Sequence, residues 1–515
     1  MTHRTDITEL TVDHIGQTVC VAGHVKSSRG NEDKIYFVHL VDSGHGHDKS
    51  LQLVFDATAR GKSAPNMTVG ATLQVIGTIV AGKAKEPFEM MVDIIMFYSP
   101  VLDPGTYPFA AKAVIDLEGH RRQPHLESKT AIKGGIYTIR SHMFHLWSLY
   151  FMAKSWTLCH PPILTSSECE SGCQPFGVTL LTTQGTPILP QKKDKDGNQT
   201  GQIDWKQDFF KGPRFMTVSY QLELEEQLAA LTGKAPREVP NLASLLQRSL
   251  SAIYPLDSTL PHGVYSTGFT GRGEPSDSTD HLAIFQMGEI EIPFIESSKP
   301  IIDISEEVIK FICFGILKEY RHVLELLAKH DHLGFDKERP QKLEQWVSKP
   351  FIRITHAQAI TLMLESKDAF LIKPAYTADL TREHERWLTT YFDAFVVVMR
   401  FPKEIKAFYM PVVQETPEES YGVEHVDSFD ILAPELGEIV GGSRRIHDPI
   451  ELRQRIQERG MDSQPLSRYI ALRETGSFKS GGMGIGMERL LKYIVGAKSV
   501  RDVIPHPCYY QSGDI

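Results

Sequence analysis

Through the first hundred positions, apolar residues fall in short period-two or continuous runs: Val19, Val21 and Val25; Ile35 and Phe37; Leu51, Leu53 and Phe55; Leu73 and Val75; and Phe88 to Phe97. Period-two alternation marks strands with one face buried. The breaks between the runs are rich in Gly, Asn and Asp, as in Ser43-Gly-His-Gly-His-Asp48. Five strands within residues 1–100 predict a small β-barrel of the OB type, and 101–124 reads as a proline-bearing linker. Beyond it the period changes. Ile139, Met143, Leu146, Leu149 and Tyr150 fall on one face of a helix running to Ala153, and Cys159-His-Pro-Pro-Ile-Leu164 continues as an extended segment. Gln191 to Gly201 is polar enough to predict a mobile surface loop. Residues 231–261 read as an insertion with one helix, carrying Leu242, Leu245, Leu246, Leu250 and Ile253 between prolines. Val264 to Phe294 predicts two strands joined by a polar loop. Ile304 to Lys329 and Asp379 to Phe392 predict helices, while Ala394 to Met399 and Ala407 to Val412 predict strands of a core sheet.

One stretch carries a chemical signal of its own. In Gly481-Gly-Met-Gly-Ile-Gly-Met-Glu-Arg489 the glycines at 482, 484 and 486 alternate as in a strand and leave one backbone face without side chains, a surface on which a flat ligand can lie. Met487, Leu490, Leu491 and Ile494 then form a helical stripe ending near Gly496, which sets Arg489 in the first turn, where its charge calls for an anion. The glycine spacing fits neither a dinucleotide fingerprint nor a Walker A loop, because the third glycine of the former and the Gly-Lys-Ser/Thr of the latter are missing.

Composition narrows the field. A chain of 515 residues is expected to hold two or more domains. Its net charge of −9 gives no general basic field for nucleic acid, and residues 1–100 carry 9 Lys+Arg against 11 Asp+Glu. RNA contact in the barrel therefore has to be local, by stacking on an aromatic such as Phe37 or Tyr36. The six cysteines are scattered, and Cys169 and Cys173 find no second pair to complete a zinc set, which suits reduced thiols in a cytoplasmic protein. No apolar run is long enough for a membrane span and the N-terminus does not read as a secretory signal.

Taken in order, the helix and strand ending near Pro162 (about 136–164), the strand pair 264–294 and the glycine stretch 481–496 resemble motifs 1, 2 and 3 of class II aminoacyl-tRNA synthetases. Ser219-Tyr-Gln-Leu-Glu-Leu-Glu225, Pro402-Lys-Glu-Ile-Lys-Ala-Phe-Tyr-Met410, Gly437-Glu-Ile-Val-Gly-Gly-Ser443 and Arg501-Asp-Val-Ile-Pro505 are similar to the asparaginyl members of that class. The resemblance implies an α+β chain: an OB barrel over 1–100 that reads the anticodon, and a catalytic domain over 125–515 with an antiparallel sheet flanked by helices and a dimer built on motif 1. It implies activation of asparagine by ATP with Mg²⁺ and transfer to tRNA(Asn). By similarity Arg272 grips the α-phosphate and the substrate carboxylate, and Arg489 the γ-phosphate. Glu274, His281, Phe285, Gly484 and Gly486 complete the ATP site, and Asp430 and Glu438 hold the metal. Ser219, Gln221, Glu225, Glu289, Glu383 and Arg445 bind the amino acid, with Glu225 accepting from the amide nitrogen and Arg445 donating to the side-chain carbonyl. Phe37, Gln52 and Glu89 meet the anticodon.

The chain also departs from that pattern. Gly271 stands where an aromatic is expected, Tyr220 where a small residue is expected, Ile284 for a glutamate, Asp280 for a basic residue, and His506-Pro-Cys508 for Phe-Pro-Arg. Arg445-Ile-His-Asp448 resembles the aspartyl pattern. Two other readings therefore stay open on the sequence: an aspartate–tRNA ligase, and a divergent relative that binds nucleotide or RNA without aminoacylating.

Overall fold

The structure is a computed structural model that describes residues 3–42, 49–61, 63–83, 86–109, 115–166, 174–181, 189–229, 250, 252–257 and 259–513. Two compact units divide the chain: Met1–Met143 with Glu319–Pro340 and Val495–His506, and Phe144–Lys318 with Gln341–Ile494 and Pro507–Ile515. The expected linker and the first half of the motif 1 helix thus belong to the same unit as the barrel. No helix among the described residues is long and apolar enough to cross a membrane.

In the first unit, β1 (Thr18–Gly30), β2 (Ile35–Val41), β3 (Ser50–Asp56), β4 (Thr72–Ala81) and β5 (Phe88–Ser99) close into a barrel in the order β1-β2-β3-β5-β4. The alternation seen in the sequence is its cause. Val38, Leu40, Leu51, Leu53, Leu73 and Val75 fill the interior, each 0–1% exposed. Tyr36 joins them, its hydroxyl donating to the Met67 carbonyl at 3.2 Å, so it is no stacking platform. Phe37, one residue on, points to the opposite side as the strand period demands and is half-buried.

The second unit holds short strands β6 (Thr157–Leu158) and β7 (Leu164–Thr165), the hairpin of β8 (Gln191–Lys193) and β9 (Gln199–Ile203), and β10 (Phe215–Met216), which pairs with β7. Longer strands follow: β11 (Val264–Gly271), β12 (Ile284–Pro293), β13 (Ile352–Thr355), β14 (Val396–Met399), β15 (Ser428–Ala433), β16 (Gly437–Arg445) and β17 (Ser480–Gly486). They form one eight-stranded sheet in the order β13-β14-β15-β16-β17-β12-β11-β6. The six central strands run antiparallel, as expected. Both edge pairs, β13-β14 and β11-β6, are parallel and make the sheet mixed. Ile290, Ile292 and Ile485 are buried, with Trp147 and Phe151 of the Ala131–Ala153 helix against this sheet: Phe151 stacks on Tyr265 at 4.7 Å between ring centres.

Three expectations are corrected. Gln191 to Gly201 is a hairpin, because Asp194 accepts from the amides of Asp196 and Asn198 and closes the turn. Ala407 to Val412 is a turn with a single bridge at Val412, not a core strand; Phe408 and Tyr409 pack inward from it. The helices start a few residues away from the expected positions, at Lys299–Ala328 and Arg382–Phe392, the latter capped by Thr381 and ending at Phe392 as expected. The insertion helix around Leu242 to Leu246, Ser43 to Asp48, Cys169 and Cys173 lie outside the described residues.

A central glycine offers a test of how tightly helix and sheet meet. A Cβ on Gly288 would stand 2.8 Å from the Trp147 indole. Gly288→Ala is expected to lower unfolding free energy by about 1–3 kcal/mol, the range for overpacking, in urea denaturation; unchanged stability would show that the indole has room to move.

Candidate active site

Residues two apart on a strand share a face, and register does the rest. Thr270 pairs with Phe285, Ser266 with Glu289 and Val264 with Glu291, while Glu289 pairs with Gly484, Glu291 with Gly482, Gly441 with Gly484 and Asp430 with Gly441. Phe285, Met287, Glu289, Glu291, the alternating glycines, Ser443, Arg445 and Asp430 therefore lie on one face of the sheet. Arg272 continues the β11-β12 ladder, its amide donating to the Ala283 carbonyl at 2.9 Å, and its guanidinium carbon lies 5.5 Å from the centre of the Phe285 ring.

At one end of this face is a buried polar cluster. Glu289 accepts from the Ser219 hydroxyl and from the Tyr220 amide at 2.8 Å, so the loop before the Gln221–Leu228 helix is fastened to β12. Glu225, one helical turn from Gln221, accepts from the Gln221 side-chain amide at 3.1 Å, from the Tyr469 hydroxyl at 3.1 Å and from Arg473. Arg445 lies 3.8 Å from Glu225 and is gripped by Glu291 at 2.5 Å and by the Ser443 hydroxyl at 2.6 Å. The glycine face is not bare here. A Cβ on Gly482 would stand 2.3 Å from the Glu291 carboxylate, and one on Gly484 would stand 2.6 Å from Met287. Only toward Gly486 does the platform open, with Arg489 at 3.7 Å. Burial pushes the Glu291 carboxyl up to about 8, Arg445 pulls it back down, and Glu225 adds to the rise.

The other end is a cavity lined by Asp280, His281, Arg382, Glu385, Leu436, Glu438 and Arg489. Glu488, buried in the first turn of the Met487–Val495 helix, accepts from the Gln286 amide at 2.9 Å and so ties that helix to β12. This fixes Arg489, which donates to the carbonyls of Glu438 at 3.2 Å and Asp280 at 3.4 Å and lies 3.9 Å from the Glu438 carboxylate. His281 meets the hydroxyls of Ser276 and Ser278, and burial with nearby Arg489 and Arg382 lowers its pKa, favouring neutral imidazole. Glu385 is pushed up to about 8 by burial and by Glu438. Asp430 is raised to about 7 by burial, with Lys406 drawing it down from 2.7 Å.

The structure thus brings together His281, Glu438 and Arg489 in one cavity, Ser219 with Glu289 and Gln221 with Glu225 and Arg445 in one buried cluster, and Arg272 with Phe285 on the same face. Arg272 does not line the cavity itself, and Glu274 is exposed. Glu383 is not among the cavity-lining residues: its carboxylate accepts from the Leu371 amide at 3.0 Å, while Glu385, two residues on, reaches the cavity. Sequence reasoning missed Glu291, Tyr469, Arg473, Glu385, Arg382 and Lys406. Glu291 was legible as the next inward position after Glu289; Tyr469 and Arg473 lie on the separate Ser467–Glu474 helix and left no local signal. On the barrel, Gln52 donates to Glu89 at 2.7 Å and Arg29 to Gln52 at 3.4 Å, while the Arg29 guanidinium lies over Phe37 at 5.5 Å, so the three expected residues form one patch completed by Arg29.

Four of the departures find a local partner. Gly271 leaves space that Met216 and Phe176 occupy, within 2.6 and 3.0 Å of where its Cβ would be. Tyr220 lies against Gly268, whose Cβ would stand 2.5 Å from the ring, and donates to the Phe269 carbonyl at 2.8 Å. Asp280 is buried between Lys492 and Arg382. The Cys508 carbonyl accepts from the Ala283 amide at 2.8 Å and backs the motif 2 strand. Asp448, part of the aspartyl-like tetrapeptide, caps the following helix through the Ile450 amide.

Residues 262–509 match the family "tRNA synthetases class II (D, K and N)". The asparagine–tRNA ligase of Porphyromonas gingivalis is 33% identical over 96% of this chain and 94% of its own length, and that of Psychromonas ingrahamii 32% identical over 96% and 95%. The solved asparaginyl-tRNA synthetase of Pyrococcus horikoshii, complexed with asparaginyl-adenylate, matches 99% of both chains with TM-score 0.73 at 22% identity. A putative aspartyl-tRNA synthetase from Leishmania major gives 0.71 over 100% and 95% at 17%. At such identities these structures speak to the fold. The chain belongs to the class II tRNA synthetases of the aspartate, lysine and asparagine group. Within that group, the two sequence relatives that are 32–33% identical to it nearly end to end are asparagine–tRNA ligases.

The buried pocket predicts its own response to pH. Glu291 titrates higher in the fold than its ordinary 4.5, so its contribution is fully favourable below pH 4.5 and is lost as pH rises toward 8. Arg445→Met removes the counter-charge and is expected to cost about 3–5 kcal/mol above pH 8, where Glu291 ionises. Urea unfolding should find a deficit that shrinks in acid; a constant deficit would show that Glu291 does not ionise in that window.

Proposed function

We propose that the protein is an asparagine–tRNA ligase, which uses ATP to convert asparagine to asparaginyl-adenylate and pyrophosphate and then transfers the asparaginyl group to tRNA(Asn). The observation that carries this reading is the placing of an acceptor beside a donor, Glu225 3.8 Å from Arg445, in one buried pocket. An amide side chain offers N–H₂ and C=O to such a pair, whereas a second substrate carboxylate would face Glu225 directly. Three carboxyl groups (Glu225, Glu289, Glu291) answer two guanidinium groups (Arg445, Arg473), so no surplus positive charge remains to hold aspartate.

The chemistry requires two anions to meet. Unit charges ~4 Å apart interact by ~4 kcal/mol at an effective dielectric of ~20, so fixed cations have to offset their repulsion. Arg272, braced on Phe285, takes the α-phosphate and the substrate carboxylate; Arg489 takes the γ-phosphate. Phe285 and the backbone at Gly486 hold the adenine between them, with Glu274 at its amino group. Glu289 is the candidate for the substrate ammonium. No side chain is needed as nucleophile or general base: the residues position and stabilise.

Asp430 and Glu438 would hold Mg²⁺. Their oxygens lie 3.6 and 3.3 Å from where a Cβ on Gly441 would stand, so the glycine keeps open a space between two hard ligands. When bound, the ion supplies charge neutralisation at the phosphates.

The reading extends to the barrel as the anticodon reader, through Phe37, Gln52, Glu89 and Arg29, and to a cytoplasmic homodimer through motif 1, where Met152, Leu158 and Ile163 are exposed apolar residues. The test is ATP–pyrophosphate exchange. Asparagine should support it and aspartate should not. Exchange with aspartate would instead make this the aspartate enzyme, and none by folded protein would favour a non-aminoacylating relative. Arg489→Ala should slow exchange by roughly 10²-fold or more. Phe37→Ala should weaken tRNA binding by ~1–3 kcal/mol in a filter assay, and equal affinity would remove Phe37 from the interface.

A further inference from the structure

Asp280 is a costly residue to keep. Its side chain is 2% exposed, and a buried carboxylate needs a counter-charge. Lys492, 9% exposed and in direct contact with one carboxylate oxygen, is such a counter-charge. Yet a second cation, Arg382, reaches the other oxygen at 2.7 Å while remaining 39% exposed and lining the same cavity as Arg489. Arg382 is also the first residue of its helix, where a positive charge opposes the macrodipole. Helix formation therefore does not account for it, and neutralisation of Asp280 needs only one of the two cations.

The cavity itself is short of positive charge. Arg489 is partly engaged by Glu438 at 3.9 Å, and Glu385 adds a further carboxyl group. We propose that Arg382 is a second cation for the pyrophosphate end of the nucleotide, and that Asp280 is a positioning residue that aims it. The inference rests on the ligase reading. As the substrate carboxylate oxygen bonds to the α-phosphorus, the bond from that phosphorus to its bridging oxygen breaks. The electron pair leaves on pyrophosphate, and Arg382 and Arg489 receive that growing charge from two sides. The basic residue expected at position 280 is thus supplied from the Arg382–Phe392 helix.

The experiment separates contact from mere neutralisation. Inorganic pyrophosphate binding is measured by calorimetry on wild type, Arg382→Ala, Arg382→Lys and the double variant Asp280→Asn/Arg382→Ala, alongside KM for pyrophosphate and for asparagine in exchange. Arg382→Ala should weaken pyrophosphate on the order of 10- to 100-fold, the loss of one charge-assisted hydrogen bond, with KM for asparagine unchanged and partial rescue by lysine. The double variant should stay weak; recovery of wild-type affinity there would show that Arg382 only neutralises Asp280 and would overturn the proposal. Should the double variant not fold, protection of Arg382 in the wild-type protein from a guanidinium-directed reagent decides the matter: protection by pyrophosphate supports the contact, and none overturns it. Pyrophosphate binding without asparagine-dependent exchange would sink the ligase reading and leave this one standing. A wild-type protein that does not bind pyrophosphate would sink this one.

Discussion

Glu291 and Arg445 stand on strands that are not neighbours. β17 runs between them, and their ion pair closes over Gly482, where a side chain would strike the Glu291 carboxylate at 2.3 Å and the Ile290 carbonyl at 2.0 Å. Much of the buried polar cluster proposed to hold the amino acid depends on that missing Cβ. Arg445, fixed from β12, stands beside Glu225, and Glu225 in turn gathers Tyr469 and Arg473 from a separate helix. Removing a charged group from water costs several kcal/mol, and Arg445 is held against that cost by Glu291, Ser443 and Glu225 together.

The same period of two that builds the core builds the site. Odd-numbered positions of β12 carry Phe285, Glu289 and Glu291 to the ligand face, while Ile290 and Ile292 are buried. A slip of one residue would exchange the two sets. The many apolar positions on the other face therefore hold the catalytic register as a by-product of holding the sheet. At the far end Glu488 pins the first turn of the last long helix to the Gln286 amide, so the position of Arg489 is set by backbone geometry and not by its own flexible stem.

What the sequence disclosed follows from this economy. The five barrel strands and the central strands were legible because alternation is local and strong. The buried Tyr36 and the half-buried Phe37 look alike as residues, and only the strand phase separates them. The short parallel edge strands, two to four residues long, carry too little pattern to be read. Among site residues, those within glycine or acidic motifs could be named, whereas Arg382, Tyr469 and Arg473 act across distances in the chain that no local spacing records. That Glu385, two residues after Glu383, is the one that lines the cavity was not legible, because helical phase at that turn is set by the Thr381 cap and by the Leu371 loop.

The replacements along motif 2 are not independent of the rest of the chain. Asp280 sits between two cations that need it, as Gly268 makes way for Tyr220 and Gly271 for Phe176 and Met216. Transplanting the corresponding loop from a relative would bring a base against Lys492 and Arg382, three like charges in a space from which water is largely excluded. Reverting this chain toward a family consensus one position at a time would thus harm it. The loop and its supports have to be exchanged as a set.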